Sequence, residues 1–290
     1  MFRKIIAIAC ALLLTLCTAC MDNSIESEST TSQSKETQSL KESQGSEGQS
    51  QGEISSEQNS DSQETSDLQK LLRVIKNVEE ANSFYTVAEG VTKSLGVNQK
   101  ISAKRYVIGN LMFKESVSYS KLVKVANQTL ATSNKYLVRE SKKIYSCEEV
   151  VWDDSVTEIS QEEYLNRYGS VIYGFNNYLI SEQTVLSVTL TYGSDYEFVV
   201  TLDPLTATKN IVKEMKTNAG SSEEPTFKSI KMTVKADLSL QVLSVKYECE
   251  YSVKIPILGA MDCVEDMTEY YYGFNQTKSY PQEEIFSNYL

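Results

Sequence analysis

Glu148, Glu149, Asp153 and Asp154 place four carboxyl groups within seven residues, on either side of Trp152, the one tryptophan of the chain. Two carboxylates beside an aromatic platform are sufficient for glycoside hydrolysis, one acid protonating the leaving oxygen while the other attacks or activates water. The same grouping is also what a solvated turn at a strand end contains. Ser118 and Lys121 have the Ser-x-x-Lys spacing of a serine nucleophile with a lysine base. Ser32 and Lys35 repeat that spacing in a polar tract, and neither Ser-Asp-Asn nor Lys-Thr-Gly follows. Asp153 could open a calcium loop, but its sixth and twelfth positions fall on Glu158 and Tyr164 instead of Gly and Glu. The chain contains no histidine. That removes the usual partner of a serine or cysteine nucleophile, the commonest zinc ligand and a switch near neutral pH. The expectation is a protein without catalytic residues, metal or cofactor.

The most informative reactive group is the thiol of Cys20. Arg3 and Lys4 precede an apolar run over 5–16, too short to span a bilayer, and the small-residue step Thr18-Ala19 leads into Cys20. This arrangement resembles the lipobox of bacterial lipoproteins, although Cys17 stands where that pattern prefers Leu. The resemblance implies cleavage after residue 19, lipidation of Cys20 and attachment to the outer face of a Gram-positive cell membrane. An ordinary secretory signal is the alternative.

The next segment, to residue 66, should be a tether. Residues 21–66 hold fourteen serines and ten acidic residues against two lysines, with only Met21, Ile25, Leu40 and Ile54 as sizeable apolar side chains. Such a sequence cannot bury enough surface to offset its chain entropy. As a flexible coil it spans roughly 35–40 Å. The chain as a whole carries −11, of which the signal contributes +2 and the tether −8, leaving −5 on residues 67–290. Neither part looks like a nucleic-acid binder, and an acyl anchor would have to do most of the holding at a membrane.

Residues 67–290 read as one domain of class α+β. Leu68, Leu71, Leu72, Ile75 and Val78 recur at helical spacing behind Ser66 or Asp67 as cap. Period two then takes over. Leu186, Val188, Leu190 and Tyr192 alternate with polar residues, and Tyr196, Phe198, Val200 and Leu202 follow the turn at 193–195. Ile230, Met232, Val234 and Ala236 precede the turn at 237–239. Leu243, Val245, Tyr247, Cys249, Tyr251 and Val253 come after it. Repeated one-sided alternation means antiparallel strands with one face in a core. Further strands are expected over 106–113, 117–125, 135–139 and 143–148. The first of these is apolar on both faces, as for a strand covered on both sides. Two helices are expected within the later sheet. One covers 161–168, with the capping box Ser160-Gln161-Glu162-Glu163. The other covers 205–215 behind Asp203-Pro204.

This order of elements is similar to that of the LolA, LppX and LprG-like lipoproteins. The resemblance implies a curved antiparallel sheet forming a half-barrel, with the leading helix and the inserted helices covering its concave face. It also implies an apolar cavity that carries acyl chains. The aromatic connector over 171–180 lacks a clean polar face, so Tyr173, Phe175, Tyr178 and Leu179 are the candidate lining, and Tyr270, Tyr271 and Tyr272 could contribute. The same residues would otherwise be core packing. Cys249 and Cys263 flank a hairpin centred near Pro256, which would set them opposite one another as a disulfide or as two packed thiols. The leading reading is a membrane-anchored, non-catalytic binding lipoprotein with an apolar or lipid ligand. The alternatives are an envelope interaction module with a filled core and, third, a carboxylate glycosidase.

Overall fold

A computed structural model describes residues 66–120, 124–133, 135–142, 149–169, 175, 178–219, 223–255, 259–276 and 286. Cys20, the whole of the expected signal and almost all of the tether, Lys121, Cys147, Glu148, Tyr173 and the strand expected over 143–148 lie outside them. The fold is mostly β. Among the described residues, eleven antiparallel strands form one sheet that does not close into a barrel: β1 (Ser83–Ser94), β2 (Val97–Ile108), β3 (Leu111–Tyr119), β4 (Lys124–Ala131), β5 (Lys135–Glu140), β6 (Thr157–Ser160), β7 (Val185–Tyr192), β8 (Tyr196–Leu202), β9 (Thr226–Ala236), β10 (Val242–Ile255) and β11 (Gly259–Tyr272). The spatial order is β6-β5-β4-β3-β2-β1-β11-β10-β9-β8-β7, so two meanders join where the first strand pairs with the last.

Helix α1 (Asp67–Glu79) forms as its spacing predicts. Ser66 is the cap, its hydroxyl accepting the Gln69 amide at 3.2 Å. Leu71, Val74, Ile75 and Val78 are buried in the same cluster as Phe198, Met232, Val234, Val245 and Tyr251 from the strands. Each such aliphatic side chain contributes about 1.5–3 kcal/mol on burial. Helix α2 (Gln161–Tyr168) also starts as expected, with Ser160 accepting the Glu163 amide, and Gly169 ends it at φ 77°. Helix α3 (Ile211–Ala219) begins six residues later than the expected start at 205. Asp203 explains the delay. Its carboxylate accepts from the Leu205 amide at 3.2 Å and the Thr206 hydroxyl at 2.6 Å, closing a turn in place of a helix cap.

Two expected strands are corrected. The apolar run 106–113 contains the β2–β3 hairpin: Ile108 pairs with Leu111, and Gly109, at φ 56°, turns the chain with Asn110. Alternation could not reveal this turn, because the neighbouring residues are apolar on both faces. Their outward row is covered: Phe113, Leu130 and Leu137 form a second small core with Phe286. The run expected as one strand over 117–125 likewise divides between the end of β3 and the start of β4.

Candidate functional site

The connector reaches the core at Phe175 and is held there by a polar cluster. Arg105 on β2 donates from Nη2 to the Phe175 carbonyl at 3.1 Å and pairs with Glu269 on β11 at 3.2 Å. The Tyr271 hydroxyl lies 2.8 Å from the same carbonyl and 2.9 Å from Glu269 Oε2. Tyr247 also donates to that carboxylate, at 3.4 Å. Burial opposes the charge on Arg105, and Glu269, Tyr271 and Tyr247 more than restore it, so the guanidinium stays protonated. Burial pushes the Tyr271 hydroxyl well above its ordinary range, with Glu269 adding to the effect, so it remains a donor. Arg105 stands 164 residues from Glu269 in sequence, and only the order β2-β1-β11 brings the two together.

Beyond Phe175 the chain packs ring on ring. Phe175 stacks on Tyr271 with centroids 5.9 Å apart, and Tyr178 stacks on Tyr247 at 5.6 Å. The Tyr178 hydroxyl sits 3.3 Å from Cys249 Sγ, and burial raises it well above the usual phenol range. Leu179 then turns outward. Its amide donates to the Ala207 carbonyl at 2.9 Å, and its own carbonyl accepts from the Thr184 hydroxyl at 2.7 Å. These bonds leave an open pocket of about 340 Å³ between α1 and the connector. Ile75, Phe175, Tyr178, Leu179 and Ile180 supply its apolar wall, while Glu79, Gln183, Thr206 and Lys209 supply polar groups. Three of the four expected lining residues therefore meet at one site. Phe175 is only 3% exposed and presents little of its ring, whereas Leu179 is 38% exposed. Ile75 and Glu79 were hidden in the helix pattern, and Lys209 and Thr206 in the stretch expected to be helical.

The three consecutive tyrosines separate by strand parity. Tyr271 faces the core, and Tyr270 and Tyr272 are exposed on the opposite face. Tyr272 instead begins an outward aromatic row, stacking on Tyr85 at 5.0 Å, which in turn stacks on Tyr106 at 5.8 Å.

The expected pairing of the two cysteines is corrected by register. Ile255 faces Gly259, so the hairpin is centred on residue 257 and not on 256. Cys249 consequently faces Glu265, and Cys263 faces Tyr251. Both are buried free thiols on the same face, related diagonally. Diagonal neighbours lie about 7–8 Å apart, well outside disulfide geometry. Burial, with Glu265 nearby, pushes Cys249 up to about 12. Burial pushes Cys263 up to about 11. Neither is a nucleophile at neutral pH.

The other sequence candidates fall elsewhere. Ser118 is fully buried and accepts a hydrogen bond from the Gln99 amide. Arg139 lies 5.2 Å over the Trp152 ring and donates to the Asp153 carbonyl at 2.9 Å, occupying one face of the indole. Glu149, Asp153 and Asp154 are exposed. Among the described residues, no group of three or more metal-ligating side chains comes together.

No family model matches the chain, and no curated protein does. Among solved structures, a DUF1329 family protein from Desulfovibrio piger overlaps 76% of this chain and 95% of its own, at 8% identity and a TM-score of 0.29. MucB in complex with MucA(peri) overlaps 70% of this chain and 93% of its own, at 5% identity and a TM-score of 0.14. The Pseudomonas aeruginosa MucA/MucB complex overlaps the same shares at 4% identity and a TM-score of 0.15. These scores lie below the range of a shared fold.

Proposed function

We propose that this chain is a lipoprotein held at the outer face of the cell membrane through Cys20, and that its domain is a non-catalytic binding module for an apolar or acyl-bearing ligand. In this reading the sheet curves into a half-barrel with the helices over its concave face. The pocket between α1 and the connector is the entrance for the ligand. The supporting observation is that Phe175, Tyr178 and Leu179, singled out by the aromatic character of the connector, line one open pocket of about 340 Å³ together with Ile75. That volume is at the lower end of the range for small-molecule sites. An acyl chain entering it would gain about 0.8 kcal/mol per buried CH₂.

A second reading, an envelope interaction module with a filled core, is favoured by the burial of Phe175 and its stacking on Tyr271. Titration of a fluorescent long-chain fatty acid into the mature protein separates the two. The carrier reading expects saturable binding that weakens on Leu179→Asp, a change at a partly exposed site whose folding is checked by circular dichroism. Absence of saturable binding by the folded protein transfers support to the interaction module.

A further inference from the structure

The pocket lining carries one acid and one base, Glu79 and Lys209, and the stretch that follows Asp203 beside it is basic in an acidic chain. Leu205 is 81% exposed, the highest value among the large exposed hydrophobic side chains of the described residues. It is not a loose tip. The Asp203 carboxylate accepts from its amide, and the Ala207 amide donates to the Asp203 carbonyl at 3.0 Å. The same loop is tied to the connector by the bond from the Leu179 amide to the Ala207 carbonyl, and Thr206 and Lys209 line the pocket itself. An ordered turn thus holds an apolar side chain in water beside an open pocket, a position that burial against a partner would relieve.

Charge indicates what kind of partner. The chain has 39 acidic residues against 28 basic ones, yet from Leu205 to Ala219 it carries Lys209, Lys213 and Lys216 against Glu214 alone. Glu214 is already paired with Lys114, at 3.5 Å. Lys209 and Lys213 are exposed, and among the described residues neither has an acidic partner. Lys213 lies in the first turn of α3, and Lys209 lies two residues before it, on the turn that lines the pocket. A projecting leucine beside unpaired lysines is the chemistry of an anionic lipid surface, where each lysine near the headgroups is worth about a fivefold gain in affinity.

We infer that the turn and helix over 205–216 form a membrane-docking rim, which lays the pocket mouth against a bilayer containing anionic lipid. This deepens the carrier reading, on which it rests for its purpose, by specifying the surface across which a ligand would enter. It does not depend on how the chain is anchored.

The test uses the mature protein mixed with excess vesicles of phosphatidylglycerol and bromine-labelled phosphatidylcholine. Trp152, the only native tryptophan, serves as the internal control, and Leu205→Trp in a Trp152→Phe background reports on the rim. Quenching of the tryptophan at 205 but not at 152, lost when phosphatidylglycerol is omitted, is expected. Replacing Lys209 and Lys213 together by Gln should reduce the docked fraction relative to the free one roughly 30-fold, and added salt should act in the same direction. Equal quenching at both positions, or quenching indifferent to the lysines, overturns the docking rim. Fatty-acid titration of the same variants keeps the two proposals apart. Docking lost with acyl binding retained removes only the rim, and the converse removes only the carrier.

Discussion

Gly90 on β1 faces Met267 on β11 so closely that a Cβ built on the glycine would stand 2.8 Å from the methionine Cβ and 2.7 Å from the Asp266 carbonyl oxygen. These are the two strands that join the meanders, and their approach at this point is set by backbone. Glycine in a strand interior ordinarily weakens it relative to alanine. Here the sign reverses. Gly90→Ala should destabilise by about 1–3 kcal/mol, as overpacking against backbone does. Urea unfolding should show a lower midpoint with an unchanged slope.

Leu95 holds φ 48° beside Gly96 at 76°, so the β1–β2 hairpin turns through two residues in the left-handed region, with a leucine where asparagine is favoured. It is also 69% exposed and has little packing to lose. Leu95→Asn should therefore stabilise by up to about 1 kcal/mol, because asparagine occupies the left-handed region at less cost than leucine. Leu95→Val should destabilise. A thermal melt of the two variants beside the parent reads both signs.

Arg105 and Glu269 form a buried pair whose other bonds fix the connector. Arg105→Met should lower stability by about 3–5 kcal/mol, because the Glu269 charge is left without its counter-ion. Adding Glu269→Leu should recover part of that loss, with a coupling above about 1 kcal/mol in a double-mutant cycle. Additive losses would mean that the pair does not act as a unit.

Glu265 is half-buried opposite Cys249, and its carboxylate accepts from the Thr92 hydroxyl at 3.3 Å. Burial raises its pKa above 4.5, against the opposing hydrogen bonds of Thr92 and Tyr251. A raised carboxyl favours the folded state fully below the unfolded value, and that contribution is lost as pH rises through the folded one. At pH 7 the residue therefore opposes folding. Glu265→Gln should stabilise at pH 7 and progressively less on acidification towards pH 4, as followed by urea midpoints across that range.

The hairpins β7–β8 and β9–β10 and the helices α1 and α2 were legible in the sequence. In each, one period of apolar residues is bounded by turn or cap residues; β8, β9, α1 and most of β10 bury that period, whereas on β7 Leu190 is buried and Leu186 and Tyr192 are exposed. The β2–β3 turn carries a local signal, the pair Gly109-Asn110, but the residues on either side are apolar on both faces and hide it, and the cover over Phe113 comes from Phe286, far along the chain. The register of β10–β11 needed the hairpin centre, and a shift of that centre by one residue moved Cys263 from opposite Cys249 to opposite Tyr251. The connector revealed its apolar character by lacking a polar face, which is a local property of its side chains. That it passes α1, that Arg105 and Glu269 clasp it, and that Lys209 stands at the resulting pocket depend on strand order across the sheet. Strand order is set by non-local pairing, which sequence periodicity does not encode. The sequence alone therefore determined α1, α2 and the two later hairpins; it did not delimit β1, β6 or β11, and Leu186 and Tyr192, expected on a core face, are exposed. Tertiary structure decided which distant residues these elements bring into contact.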